Sequence, residues 1–214
     1  MAIQNTTRKV SEVVDYVKRQ FGDESGVQVT DTDLIRWIND GQMEIVAANK
    51  ILRAKAVAHL IEGQANYDFP LDRIIDIEAI HVDGIPVQYM KFPDSEKYII
   101  EQDPKRERTG QPLYWYDYAN QITFWPKPDK DINSGITVFY VAEPHRVEDL
   151  TETLSIPDRY YNSLVRYVLA QAYEMDEDWQ ASRFKQDQFQ ADLADLAGEE
   201  DMLSTAAYPT ITFR

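Results

Sequence analysis

Residues 155–197 read SIPDRYYNSLVRYVLAQAYEMDEDWQASRFKQDQFQADLADLA, and the reading of this stretch decides the fold. It predicts two helices that meet at residues 175–178. The first starts at Pro157, because the missing N–H of proline needs no partner at a first helical position. Asp158 then places a carboxylate at the positive end of the helix dipole. At about 100° per residue, Tyr160, Tyr161, Leu164, Val165, Tyr167, Val168, Leu169 and Ala172 cover more than half the circumference. Only a strip with Arg159, Asn162, Arg166 and Tyr173 is left for water. A stripe that wide requires burial on several sides, so this is the central helix of its domain.

The second helix is expected over residues 178–197. Trp179, Phe189, Leu193 and Leu196 are read as one packing face, with Phe184 and Ala191 nearly opposite. Phe184 is then either a lone exposed apolar residue, which is common, or a contact for another subunit.

The helices upstream need such a partner. Thr6 or Thr7 can cap a helix carrying Val10, Val13, Val14, Val17 and Phe21, which Gly22 ends. Thr30 and Asp33 form a capping-box-like start. The helix that follows turns Leu34, Ile35, Trp37, Ile38, Ile45 and Val46 inward, with Gly41 on the same face. A glycine there implies close approach of another backbone. Both stripes are one-sided, and the central helix is their natural partner.

From residue 54 the pattern changes to period two. Strands are expected at 55–61 and 65–69 around Glu62-Gly63-Gln64, and at 74–82 and 85–89 around Asp83-Gly84, a strong hairpin signal. A short helix capped by Asp94 or Ser95 precedes the basic loop DPKRERTGQ at 103–111. Three more strands are expected at 112–118, 121–125 and 135–141. The fold class is therefore α+β: a helical bundle of N- and C-terminal helices with an inserted antiparallel β domain and an extended C-terminal tail. The expected divisions are 1–53 with 143–198, then 54–142, then a tail at 199–214. In that tail Tyr208, Ile211 and Phe213, interrupted by Thr210 and Thr212, are compatible with a strand.

The chain has 214 residues, 43% of them hydrophobic, enough for a substantial core. It has no cysteine, so neither disulfides nor thiolate chemistry enter. No apolar run approaches the roughly 18–20 residues that span a bilayer, and MAIQNTTRKVSEVV lacks the basic and apolar regions of a signal peptide. A soluble, reducing setting without a membrane is expected. The net charge of −15 repels phosphates, which argues against a nucleic-acid-binding role.

Candidate sites are few. Tyr114, Trp115, Tyr116 and Trp125 could stack on sugar rings, or could be sheet core and interface packing. Asp129, Asp131 and Asn133 begin like a calcium loop, but Ser134 stands where glycine is needed and Tyr140 where glutamate is needed. His59, His81 and His145 show no ligand spacing. There is no nucleophile elbow and no glycine-rich phosphate loop, so no enzyme and no cofactor or metal is expected.

The order of elements, with ITFWPKP at 122–128, ITVFYVAEP at 136–144 and LTETLSIPDRYYNSLVRYVLAQAYEMDEDWQASRF at 150–184, resembles the head-to-tail adaptor (connector, or neck) proteins of tailed bacteriophages, including the tail-tubular-A type. The most specific part is 156–184. The resemblance implies a structural virion protein assembled in the host cytoplasm as a ring, commonly a dodecamer. That ring would sit between the portal protein and a tail nozzle or tail-tube protein, with DNA passing through unbound. Carried over, Phe184 faces a neighbouring subunit, and Tyr208, Ile211, Phe213 and Arg214 belong to a docking tail. The β block is larger than a minimal adaptor needs and is expected to face the tail or the outside. The alternative is a carbohydrate- or receptor-binding tail module using the β-domain aromatics.

Overall fold

The structure, a computed structural model, describes residues 7–69 and 71–207. Its elements are α1 (Val10–Phe21), α2 (Asp31–Asn49), β1 (Arg53–Leu60), β2 (Asn66–Asp68), β3 (Ile74–Val82), β4 (Ile85–Tyr89) and α3 (Asp94–Gln102). They are followed by β5 (Tyr114–Tyr118), β6 (Gln121–Trp125), β7 (Ile132–Ala142), α4 (Tyr161–Met175) and α5 (Trp179–Ala207). The chain divides into two compact units, residues 1–52 with 144–214, and residues 53–143.

In the helical unit α4 packs against α1, α2 and α5. Its Leu164, Val168 and Ala172 are fully buried. Arg159 and Asn162 are exposed, while Arg166 and Tyr173 are half-buried. The helix begins later than expected. Pro157 leads a 3-10 turn over Asp158–Tyr160, and α-helical geometry starts at Tyr161. Asp158 is occupied instead by the chain before α1: its carboxylate accepts the backbone N–H and the hydroxyl of Thr7. Thr7 therefore does not cap α1. Lys9 holds the N-cap position, and its N–H donates to Glu12 at 3.1 Å. Gly22 ends α1 in the left-handed conformation (φ 87°), and Thr30 caps α2 by accepting from the Asp33 N–H.

Gly41 sits where α2 meets α4. A Cβ there would lie 2.7 Å from Leu164 Cδ1 and 2.8 Å from Tyr167 Cδ1. The close approach is thus to side chains, not to the backbone the sequence suggested. The connector 144–157 is tied to α2 by its polar groups. Asn39 donates to the Val147 carbonyl and accepts from its N–H, at 2.9 and 2.8 Å, and Gln42 accepts from the Ser155 N–H at 2.7 Å.

The expected end of α5 near Gly198 is corrected: the helix continues to Ala207. An interior glycine costs only about 1 kcal/mol relative to alanine, and the good helix formers Glu199, Glu200, Met202 and Leu203 follow it. Residues 199–207 are therefore not an extended tail. Tyr208, Ile211, Phe213 and Arg214 lie outside the described residues.

The β unit is a curled seven-stranded sheet in the order β1-β7-β3-β4-β5-β6-β2. It closes around Leu60, Tyr67, Ile80, Trp115, Phe124 and Ile136, among others. Two expectations are corrected. The sheet is mixed, because β4 and β5 pair in parallel, with Gln88 opposite Tyr114 and Tyr89 opposite Trp115. The link between them carries α3, and a parallel pair needs such a crossover. Nor do the strands around Gly63 form a hairpin. β1 pairs with β7 and β2 with β6. The turn at Gly63 serves other partners: Gly63 N–H donates to the Pro128 carbonyl, and Glu62 N–H to Asp131.

The Asp83-Gly84 hairpin forms as expected, with φ of 54° and 76°. A primed turn needs positive φ at both central residues. Ala119 and Asn120 make a second turn of this kind between β5 and β6, with φ of 51° and 62°.

Candidate partner-binding surfaces

The corner between α4 and α5 exposes large apolar side chains. Trp179 is 65% and Phe184 59% exposed, with Met175 beside the turn at 44%. The turn is built by polar contacts. Asp178 N–H donates to the Tyr173 carbonyl at 2.9 Å, and the Asp178 carboxylate accepts from the Ala181 N–H at 3.0 Å. A groove of about 510 Å3 runs beside it, lined by Gln171, Glu174, Trp179, Ser182, Arg183 and Asp187. The later part of α5 is anchored. Phe189 is fully buried against the Tyr167 ring at 5.2 Å, and Asp192 accepts from Ser163 and Arg166. Asn49 donates to the Leu193 carbonyl.

Trp179 does not join the Phe189 face, which corrects the sequence reading. Ten residues at about 100° each place it about 80° away from Phe189, outside a narrow stripe. Phe184 lies about 140° from Phe189 and projects to solvent as anticipated.

The β-unit aromatics divide as strand alternation requires. Trp115 points into the sheet core with Phe124. Tyr116 and Trp125 are buried under Ile99 of α3, with Tyr98 and Tyr114 packed alongside. Trp115, Tyr116 and Trp125 are only 5–7% exposed, so their faces are not open platforms. The exposed stack is elsewhere: Phe92 and Tyr118 rings lie 4.5 Å apart at 27°. They border a groove of about 550 Å3 that includes Glu96, Arg106 and Thr123. Glu96 pairs with Arg106 and accepts from the Tyr116 hydroxyl at 3.2 Å. Burial pushes the Tyr116 phenol above its ordinary value. Phe92 had no period-two or helical pattern to flag it.

The shifted carboxylates do structural work. Asp23 is held down to about 2 because it accepts the Val29, Val27 and Gln28 N–H groups and the Ser25 hydroxyl. Asp103 is lowered chiefly by the Arg108 N–H, and Glu152 by those of Glu148 and Asp149. Each closes a loop rather than facing a substrate cleft. His59 accepts from the Ser134 N–H, His81 packs edge-on against Phe139, and His145 lies 3.4 Å from Glu152. Among the described residues no cluster of three His, Cys, Asp or Glu could hold a metal ion, and no helix is long and apolar enough to cross a membrane.

Residues 8–210 match the family model described as SU10 adaptor protein. No curated protein matches the chain.

Proposed function

The chain belongs to the SU10 adaptor protein family, structural adaptors of phage virions, and from that premise we propose that it assembles as a ring at the neck, between portal and tail proteins. The observation that carries this reading is the α4–α5 corner. A helical unit with a buried interior still leaves Trp179 and Phe184 about three-fifths exposed, about 80° and 140° around α5 from the buried Phe189. Neighbouring subunits would cover that surface. The net charge of −15 suits a conduit along which DNA slides without adhering. Residues 208–214 serve as a docking segment needed for assembly.

The test is assembly with purified portal, followed by sedimentation and native mass. The intact chain is expected to give a closed ring on the portal. Removal of residues 206–214 is expected to leave a folded protein that no longer joins it. Retained assembly after that removal refutes the docking role. The glycan-binding alternative draws less support, because three of the four rings it uses are buried. Glycan-array binding lost on Trp115→Ala or Trp125→Ala, with the fold intact, would restore it.

A further inference from the structure

The curled sheet is split on one side. β4 covers only the last three residues of β3, pairing Ile80 with Val87 and Val82 with Ile85. It then leaves β3 and joins β5, its Gln88 N–H donating to the Leu113 carbonyl and its Met90 N–H to the Trp115 carbonyl. Residues 74–79 of β3 pair with β7 on one side, with register shifts between Ile74 and Asp76 and between Ile77 and Ala79, and among the described residues have no strand on the other. The parallel pairing of β5 likewise ends at Trp115. Between these edges lies a groove of about 480 Å3, whose walls include Ile75, Ile77, Tyr89, Trp115, Asp76 and Asp117. The isoleucines are half-buried and Tyr89 is 47% exposed, so the floor is apolar and reachable. Glu78, also in its wall, pairs with Arg53 at 2.8 Å.

The chain carries a segment of matching chemistry. Residues 210–214 read TITFR. In extended form Ile211 and Phe213 share one face and Thr210 and Thr212 the other. Thr, Ile and Phe favour strands, and Pro209 separates the segment from α5. Five extended residues span about 17 Å, and the uncovered residues 74–79 of β3 at most about 20 Å. The segment's one cation, Arg214, meets a groove that bears the exposed carboxylate of Asp117.

We infer that residues 210–214 of one copy add as a strand in the groove between β3 and β5 of a neighbouring copy. Main-chain hydrogen bonds to the uncovered edge of β3 supply affinity, and the Ile75 and Ile77 floor selects Ile211 and Phe213. This rests on the adaptor reading above and names the acceptor of its docking segment.

The experiment titrates a fluorescein-labelled peptide of residues 208–214 with the full-length protein carrying Ile211→Asp and Phe213→Asp, so that its own segment does not compete. Anisotropy is expected to saturate in the micromolar range. Asp117→Lys should weaken binding about fivefold and Ile77→Lys by tenfold or more, with Phe184→Ala as the unaffected control. Unchanged circular dichroism shows that the groove variants remain folded. A photo-crosslinker in place of Phe213 in the peptide should label β3 or β5. No saturation up to about 1 mM, affinity indifferent to Asp117→Lys, or labelling elsewhere overturns the inference. Portal sedimentation separates this outcome from failure of the adaptor reading. A protein that joins the portal yet ignores the peptide keeps the function and loses the groove.

Discussion

Replacing Gly41 with alanine sets two effects of opposite sign against each other. Alanine in a helix interior is about 1 kcal/mol better than glycine, because the unfolded chain has less freedom to lose. At Gly41 the added carbon would stand 2.7 Å from Leu164 Cδ1 and 2.8 Å from Tyr167 Cδ1. Neither neighbour can swing away freely. Leu164 is fully buried, and the Tyr167 ring lies edge-on to the buried Phe189 ring. Overpacking of this kind costs about 1–3 kcal/mol, so Gly41→Ala should destabilise by about 1 kcal/mol net and Gly41→Val by about 3 kcal/mol. Urea unfolding followed by helical circular dichroism reads this as a lower midpoint with an unchanged slope. The control is Leu164→Ala, which removes the nearer clashing atom and leaves Tyr167 Cδ1 in place. In that background the cost of Gly41→Ala should shrink, and the departure from additivity identifies the contact. A Gly41→Ala protein more stable than the parent refutes the packing of α2 on α4.

Further outcomes follow from single contacts. Phe189→Ala empties a fully buried site between α4 and α5 and should cost about 3–5 kcal/mol in the same assay. Asp23 has a folded pKa depressed from 3.8 to about 2, so its stabilisation is present above about pH 4 and is lost as the pH falls towards 2. Asp23→Asn should therefore weaken the protein at pH 7, with the gap to the parent closing near pH 2. Ala119 holds a left-handed φ of 51° in the β5–β6 turn, a conformation alanine resists. Ala119→Gly should stabilise the β unit by up to about 1 kcal/mol in urea unfolding.

The central helix was readable because its stripe is wide. Tyr160, Leu164, Val168 and Ala172 are apolar at positions that no exposed helix would spend on them, and each is fully buried. The Asp83-Gly84 hairpin was readable for a local reason, since two positive φ values favour those residues. Strand partners were not. Residues 62–64 look like a turn and make one, but a turn does not name the strands that flank it. β1 finds its partner in β7, far along the chain. The parallel β4–β5 pair was hidden likewise, because the α3 crossover reads as an ordinary loop with a short helix. Trp179 was misplaced by helical phase, an error of about 80° in a helix with a narrow stripe. The groove between β3 and β5 had no local mark at all, for it exists only where β4 parts from β3.

Within α5 the residues that hold the fold are separate from the large apolar residues left exposed, and that separation can be measured. Phe189 and Leu193 are buried, whereas Trp179 and Phe184, one to four turns earlier, are not. Two aromatic side chains exposed by about three-fifths present roughly 200–250 Å2, which corresponds to roughly 5 kcal/mol if a neighbour covers it fully. Part of that is spent on ordering the partners, so the net loss on substitution should be about 2–4 kcal/mol per interface. Trp179→Ser with Phe184→Ser should then leave the unfolding free energy within about 0.5 kcal/mol of the parent. Self-association on the portal should weaken by at least about tenfold. If the double variant unfolds as readily as Phe189→Ala, these rings belong to the core and the corner is not free. If it is as stable as the parent and still closes a ring at the same concentration, the subunits meet through another surface.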